Sequence, residues 1–181
     1  MPLRTTITEL GDQDLLFLLA LWHIPEVNRY ADELPGLRGW TKSDPADKAW
    51  IKYQQQRREL GPAYTQLIVR LLDGTPIGES FFAPLPDGWT LDQWVKPAST
   101  TCLIGDIKLL PAYWGQGLGS EALALVVRWL WEHTDCAMLV VPPHDENPAA
   151  TRVYEKAGFR YADRSLFTPG HRIMELWRVP R

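Results

Sequence analysis

The chain has 181 residues, a length that fits one domain. Apolar residues make up 45% of it and charged residues 23%, which is ordinary for a globular protein. The net charge of −3 argues against nucleic acid as a partner and weakly favours an amine or another cation as a ligand. The apolar run from Leu15 to Trp22 is too short to cross a bilayer, so no membrane partner is expected.

Two cysteines, Cys102 and Cys136, lie in apolar segments. Such a pair predicts buried, reduced thiols and not a disulfide framework. No signal peptide precedes the first predicted strand, so we expect a cytoplasmic protein. The sequence leaves open whether the chain acts alone or as a homodimer.

The N-terminal half predicts a strand, two helices and a hairpin. In chain order these are a strand at 5–10, a helix from Asp12 to about residue 23, a helix from 43–45 to about residue 60, and strands at 64–72 and 75–83. The strand at 5–10 follows a polar–apolar alternation, and Asp73-Gly74 is a typical hairpin turn between the next two strands. Residues 24–40 contain two prolines and two glycines and predict irregular structure.

The C-terminal half predicts alternating strands and helices. In chain order these are a loop at 84–99, a strand at 102–110, a helix at 121–131, a strand at 137–141, a helix at 147–157, and strands at 160–166 and 172–178. Gly158 is placed to end the second of these helices. The whole pattern predicts a single domain over residues 1–181, an α/β fold with a mixed sheet covered by helices.

The segment with the clearest chemical meaning is Gly115-Gln116-Gly117-Leu118-Gly119-Ser120, between a predicted strand and a predicted helix. Glycines let a ligand approach the backbone, and free N–H groups at a helix start suit a phosphate or pyrophosphate. The lysine of a P-loop is missing, and the spacing is not that of the dinucleotide fingerprint. A turn that only lets the helix pack on the sheet is the structural alternative.

Two longer segments resemble the signatures of GNAT-type N-acyltransferases. Residues 104–122 read IGDIKLLPAYWGQGLGSEA and resemble the family's acetyl-CoA-binding motif. Residues 147–159 read NPAATRVYEKAGF and resemble its pattern Asn-x-x-Ala-x-x-x-Tyr-x-x-x-Gly-Phe. Trp114 stands where the family usually has Gln or Arg. The resemblance implies the GNAT fold, a central and mostly antiparallel sheet flanked by helices, with acetyl-CoA as co-substrate and no metal.

The resemblance also implies roles for single residues. The backbone amides of 115–120 would grip the pyrophosphate, and Asn147 would contact the cofactor. The backbone of Leu109 would pair with the pantetheine arm, and the N–H groups of Leu109 and Leu110 are candidates for holding the thioester carbonyl. Tyr154 would be the general acid that protonates the leaving thiolate.

Two carboxylates are candidates for the base. Asp106 lies within an apolar predicted strand, and Glu79 lies in the returning strand of the hairpin. A carboxylate in the middle of a strand must face a wet cleft or find a partner. Aminoglycoside 6'-N-acetyltransferases are similar to this chain around Asp106 and carry an aspartate near this position that holds or deprotonates the amine. If the two strands are neighbours, both acids face the same amine; a structural ion pair with an arginine is the alternative for each.

These residues predict an N-acetyltransferase that transfers an acetyl group directly from acetyl-CoA to a primary amine of a small molecule. An aminoglycoside-like polyamine is the leading acceptor, which implies antibiotic modification. A peptide N-terminal acetyltransferase of the ribosomal-protein type and acylation of a siderophore-type hydroxylamine stay open. A non-catalytic CoA-binding module and a nucleotide-binding protein are the alternatives from other classes. Segments 24–43 and 84–99 are expected to select the acceptor.

Overall fold

The computed structural model describes residues 2–30, 46–61, 63–85, 90–91, 94–95, 100–168 and 170–179. The strands are β1 Thr5–Glu9, β2 Thr65–Leu71, β3 Pro76–Pro84, β4 Thr90–Leu91, β5 Trp94–Val95, β6 Thr101–Leu109, β7 Met138–Val141, β8 Arg160–Thr168 and β9 His171–Trp177. The helices are α1 Leu15–Trp22, α2 Pro25–Asn28, α3 Ala46–Leu60, α4 Leu118–His133 and α5 Pro148–Lys156. No helix in these ranges has the length and apolar character needed to cross a membrane.

Seven strands form one sheet in the order β1-β2-β3-β6-β7-β9-β8. Each neighbouring pair in it is antiparallel except β6 and β7, which are parallel. Short β4 and β5 form a separate hairpin. The predicted mixed, mostly antiparallel sheet is confirmed.

The predicted elements are confirmed with shifted bounds. α4 begins at Leu118, three residues before its predicted start at 121, because Gly117 adopts a left-handed conformation and caps the helix. Segment 24–40, predicted as irregular, contains the short α2. The loop predicted at 84–99 contains β4 and β5. The predicted helix start at 43–45 lies outside the described residues.

The sheet opens between β6 and β7. The two strands pair only where Thr101–Leu103 meets Met138–Val140. β7 then ends at Val141, while β6 continues to Leu109. Beyond Leu103, one edge of β6 therefore has no neighbouring strand among the described residues, and a gap lies there in the middle of the sheet.

A β-bulge in β6 decides which side chains face each side of the sheet. Phe81 pairs with Asp106 and Phe82 with Ile104, so Gly105 is the extra residue. An extra residue reverses the alternation of faces along the strand. Ile104 packs in the core with α4, whereas Asp106 points to the face that α1 covers.

Each face of the sheet has its own core. The face covered by α4 and α5 buries Leu67, Phe82, Cys102, Ile104, Leu123, Val126, Leu130, Cys136, Leu139, Val141, Tyr154, Phe159 and Met174. The face covered by α1 and α3 buries Leu10, Leu15, Leu18, Trp22, Tyr53, Tyr64, Ile68 and Phe81. The carboxylate of Glu121 accepts hydrogen bonds from the backbone amides of Arg4 and Thr5, both at 2.6 Å, which ties the start of α4 to β1.

The two cysteines are paired, so the prediction of reduced thiols is wrong. Cys102 and Cys136 form a disulfide, with Cα atoms 6.2 Å apart and no free cysteine among the described residues. Cys102 lies in β6 and Cys136 lies two residues before β7, the parallel neighbour of β6. Both were correctly predicted to be buried in apolar surroundings, but their proximity follows from strand pairing between residues 34 positions apart.

Candidate active site

The glycine loop leaves a row of backbone amides open. Gly115 and Gly117 have φ values of 73° and 80°, in the left-handed region that glycine tolerates. The first helical bond at this end runs from the amide of Glu121 to the carbonyl of Gly117. The amides of 115–120 donate to no acceptor within the described ranges. They lie at the positive end of the 16-residue α4, an arrangement that suits an anion.

Hydrogen bonds from three side chains hold the backbone of the glycine loop and of the residues just before it. Gln116 donates from Nε2 to the carbonyl of Ala112 at 2.9 Å, and its own carbonyl accepts from Nη2 of Arg4 at 3.0 Å. The indole of Trp114 donates to the carbonyl of Leu109 at 2.7 Å. Trp114 therefore joins the loop to β6, which is a structural task that the sequence did not indicate.

The open edge of β6 presents Leu109 and not Leu110. The amide of Leu110 donates to the carbonyl of Ile77 in β3 at 2.8 Å, so it is unavailable to a thioester. Neighbouring residues in a strand point their amides to opposite sides, so the amide of Leu109 points away from β3, towards the gap. The prediction that both amides are available therefore fails for Leu110.

Asn147 begins α5. Its side-chain oxygen accepts from the amide of Ala150 at 3.1 Å, and Pro148 occupies the first helical position. Because the oxygen is engaged in this cap, Nδ2 is the part of the side chain that a ligand would meet. The residue predicted to contact the cofactor thus has a structural role as well.

Tyr154 lies in the core between α5 and the sheet, with 4% of its surface exposed. Its ring packs edge-on against Phe159, with 5.8 Å between the ring centroids. Burial, and then the charge of Glu79, raise the pKa of Tyr154 well above its ordinary value. The phenol therefore stays protonated at physiological pH and can donate its proton or a hydrogen bond.

The two candidate acids meet on the opposite face of the sheet, on neighbouring strands. Glu79 in β3 lies directly opposite Lys108 in β6, two residues beyond Asp106. The ammonium of Lys108 is ion-paired with Asp106 Oδ2 and lies 3.5 Å from Glu79 Oε1. Glu79 Oε2 accepts from Gln66 Nε2 at 2.9 Å. The ion pair foreseen as an alternative is thus present, although its cation is a lysine and not an arginine.

Burial controls the protonation of this acid–lysine cluster. It raises the pKa of Glu79, although Lys108 and Gln66 favour the ionised form. It lowers the pKa of Lys108 to about 8, although Glu79 acts in the other direction. Lys108 belongs to no sequence motif that would indicate a function. The sequence shows only that it is, after Asp106, the second charged residue inside an apolar strand.

The two faces communicate through the middle of the sheet. The charge of Glu79 reaches Tyr154, although their side chains belong to opposite faces. Tyr154 and the acid–lysine cluster therefore lie on opposite faces of the sheet, within electrostatic reach of each other.

Comparisons with known proteins agree with this geometry. Residues 4–160 match the family model described as an acetyltransferase (GNAT) domain. The aminoglycoside acetyltransferase AAC(6')-Ib, solved with coenzyme A and kanamycin, is 21% identical, with a TM-score of 0.71 over 96% of this chain and 95% of its own. Spermidine N-acetyltransferase from Vibrio cholerae, solved with CoA and spermine, is 15% identical, with a TM-score of 0.72 over 96% of this chain and 95% of its own. At such identities, the likeness to these structures describes the fold.

Proposed function

Because this chain belongs to the family of GNAT acetyltransferase domains, we propose that it transfers the acetyl group of acetyl-CoA directly to a primary amine of a small polycationic molecule. The observation that carries the proposal is the gap between β6 and β7, with open loop amides on one side and two carboxylates on the other. We propose that neither a nucleic acid nor a membrane takes part and that the protein works in the cytoplasm, where acetyl-CoA is available. The buried Cys102–Cys136 bond is unusual for a protein of that compartment.

The cofactor would lie along the glycine loop and the free edge of β6. The amides of 115–120 receive the pyrophosphate. Asn147 begins α5, which covers the same face of the sheet as α4, and its Nδ2 would contact the cofactor from there. The pantetheine arm lies along this free edge of β6. Because Trp114 holds the carbonyl of Leu109, the amide is the polar backbone group that Leu109 offers there, and it donates to the thioester carbonyl. The sulfur then faces Tyr154 in the gap.

The acids would receive the amine. The Asp106 side chain is 24% exposed, whereas Glu79 is fully buried, so the acceptor reaches Asp106 first. We therefore assign Asp106 as the base, and Glu79 as a second negative charge that attracts the cation. Two acidic groups near one lysine suit a cationic acceptor, and the similar structures above include proteins solved with kanamycin and with spermine.

The reaction balances with these groups. The acceptor ammonium gives one proton to Asp106, and the neutral nitrogen attacks the carbonyl carbon. The carbon–sulfur bond breaks, and the sulfur leaves with its electron pair. Tyr154 donates its proton to the sulfur and regains one from the second proton that the nitrogen loses. The products are the N-acetyl amine, CoA thiol and one released proton.

The test is thiol release from acetyl-CoA across kanamycin, spermine, a peptide with a free N-terminus and a hydroxylamine. We expect turnover with the polycationic amines and thermal stabilisation by CoA but not by ATP or NAD; at a CoA concentration of about 100 times Kd the gain is about 2.7 kcal/mol. Turnover confined to the peptide or the hydroxylamine would contradict the acceptor class. Stabilisation by ATP or NAD alone would contradict the whole proposal.

A matched pair of variants isolates the acceptor side. Asp106→Asn keeps the shape of the side chain and removes its charge, so we expect a higher KM for the amine and a lower kcat. Asp145→Asn removes an exposed carboxylate that is paired with Arg172 at 2.8 Å, and it is expected to change neither. Equal effects of the two variants would show that net charge alone, and not Asp106, attracts the amine.

A further inference from the structure

Lys108 is a buried lysine whose ammonium lies among two carboxylates and an indole ring. Its side chain is 4% exposed, and its Nζ is ion-paired with Asp106, 3.5 Å from Glu79 Oε1 and 3.6 Å from the centroid of the Trp22 ring. A buried charge is costly unless such partners surround it. Two carboxylates and the face of an indole are the groups that recognise ammonium ions in proteins.

Polar atoms without a hydrogen-bond partner gather around this ammonium. Among the described residues, the buried side-chain atoms of this kind are Trp22 Nε1, Asn28 Oδ1, Gln66 Oε1, Glu79 Oε1, Asp106 Oδ1 and Lys108 Nζ. Trp22, Glu79 and Asp106 contact the lysine; Gln66 donates to Glu79, and Asn28 donates to the carbonyl of Trp22. Native proteins hold few such atoms, and here two of them are the carboxylate oxygens Glu79 Oε1 and Asp106 Oδ1, which can accept from an ammonium.

The orientation of Asp106 connects the lysine to that site. Its Oδ2 is held by Lys108, and its backbone carbonyl accepts from Ser80 Oγ at 2.8 Å. Its Oδ1 is buried and is one of the atoms without a partner. With one oxygen and the backbone fixed, the direction of the second oxygen is fixed as well.

We propose that Lys108 is a positioning residue of the acceptor site, which holds Asp106 so that its carboxylate receives the reacting ammonium of the acceptor. The inference rests on the acyl transfer proposed above and deepens it. With Glu79, Asp106 and Lys108 all ionised, the cluster carries one net negative charge, so a single additional ammonium neutralises it. The acceptor is thus recognised here through one protonated amine, and further cationic groups on it bind elsewhere.

Replacement of the lysine creates a space that a free ammonium can fill. Lys108→Ala removes the charge and the stem and leaves both carboxylates and the Trp22 ring in place. Ethylammonium is the probe, because it carries the same charge on a short alkyl chain. Lys108→Met is the matched variant, because it removes the charge but fills the space. Lys156→Ala, an exposed position on α5, is the control.

We expect Lys108→Ala and Lys108→Met to lower kcat/KM for the amine by roughly 10- to 100-fold, with Kd for acetyl-CoA unchanged within about twofold. Ethylammonium is expected to raise the kcat/KM and the Tm of Lys108→Ala, after subtraction of any acetylation of ethylamine itself. It is expected to raise kcat/KM in none of Lys108→Met, Lys156→Ala and the original protein, and to raise Tm less in these three than in Lys108→Ala, because they hold no space left by the lysine. Lys108→Met provides the activity measurement if Lys108→Ala does not fold.

Two results would overturn the proposal. One is an unchanged kcat/KM in the lysine variants. The other is an equal loss of acetyl-CoA binding that ethylammonium does not restore, which would make Lys108 a purely structural residue. If the original protein acetylates no amine, the proposed function fails. The effect of ethylammonium on Tm still tests the ammonium site around Lys108. A rise in Tm that is specific to Lys108→Ala supports this site, and no rise refutes it.

Discussion

Tyr154 keeps its proton because the protein makes its ionised form costly. Burial removes the phenolate from water, and the charge of Glu79 opposes a second negative charge nearby. Such a phenol is a weak acid towards bulk water. In the proposed reaction, a thiolate that forms beside it in a low-dielectric gap is a strong acceptor, so the hydrogen bond would be strongest when the carbon–sulfur bond breaks.

We predict that Tyr154→Phe lowers kcat by about 100-fold and leaves Kd for acetyl-CoA unchanged, because only the hydroxyl is lost from a residue that also packs in the core. Steady-state thiol release and isothermal titration measure the two quantities. Tyr161→Phe is the control, because the Tyr161 hydroxyl lies at 3.4 Å from Thr151 on the exposed surface. Full activity of Tyr154→Phe would remove the hydroxyl from the mechanism.

Lys108 predicts a specific dependence of stability on pH. Its pKa is about 8 in the fold against an ordinary value of 10.5, so between these values the unfolded chain binds more protons. The contribution of Lys108 to the free energy of unfolding is largest above pH 10.5, the pKa in the unfolded chain. It is lost as the pH falls through about 8, the pKa in the fold. Between pH 8 and about 9.5, the original protein should gain about 2 kcal/mol relative to Lys108→Met. Urea unfolding at several pH values measures the difference; parallel curves for the two proteins would contradict the lowered pKa.

At the scale of single elements, two glycines of the loop differ in what an added Cβ atom would cost. One has a left-handed backbone conformation, and the other has an ordinary helical one with room for the atom. Gly117 has a φ of 80°, whereas Gly119 lies inside α4, and a Cβ there would meet side chains only at 3.7 Å and 3.9 Å. We predict that Gly117→Ala costs about 1–2 kcal/mol and weakens CoA binding, because an alanine is strained in this conformation. Gly119→Ala keeps its amide and should preserve both stability and binding. Chemical unfolding measures the stability of the two variants, and calorimetry measures their affinity for CoA. Equal effects of Gly117→Ala and Gly119→Ala would contradict the different roles given to the two glycines.

The β6 strand shows what could and could not be predicted from the sequence. Its bounds and its place before the glycine loop follow from local pattern, since apolar runs and glycines act within a few residues. Strict alternation would put Ile104, Asp106 and Lys108 on one face, and the bulge at Gly105 separates the first from the other two. The bulge is defined by the register in which β6 pairs with β3, and local sequence pattern does not predict that register. For the same reason, the sequence indicated the acids but not the lysine between them.

The gap and the disulfide were also beyond local pattern. β6 and β7 are separated along the chain by the glycine loop and α4, so neither the length of their pairing nor the distance between their cysteines is a local property. The glycine loop and Tyr154 were predictable because their spacing repeats a family signature. The structure adds that Trp114, which departs from this signature, binds the carbonyl of Leu109.

At the scale of the whole molecule, the described part of the sheet separates two faces and opens between β6 and β7. α4, α5 and the glycine loop occupy one face, and α1, α3 and the acid–lysine cluster occupy the other. In the proposed reaction, a cofactor and an acceptor bound on opposite faces meet in this gap, so both are bound at once. Direct transfer agrees with the state of Cys102 and Cys136, whose sulfurs are joined and buried and offer no thiolate to carry the acetyl group.

The disulfide lies at the closed end of this gap, where β6 and β7 are still paired, and it encloses the glycine loop and α4. Its cysteines are 34 positions apart, so reduction should lower the free energy of unfolding by about 4 kcal/mol through the entropy of the released loop. Urea unfolding with and without a reductant measures the loss. The double variant Cys102→Ala/Cys136→Ala should be insensitive to the reductant. If the original protein is equally insensitive and its two thiols are alkylated after unfolding without reductant, the bond does not form and the strands are joined by hydrogen bonds and packing alone.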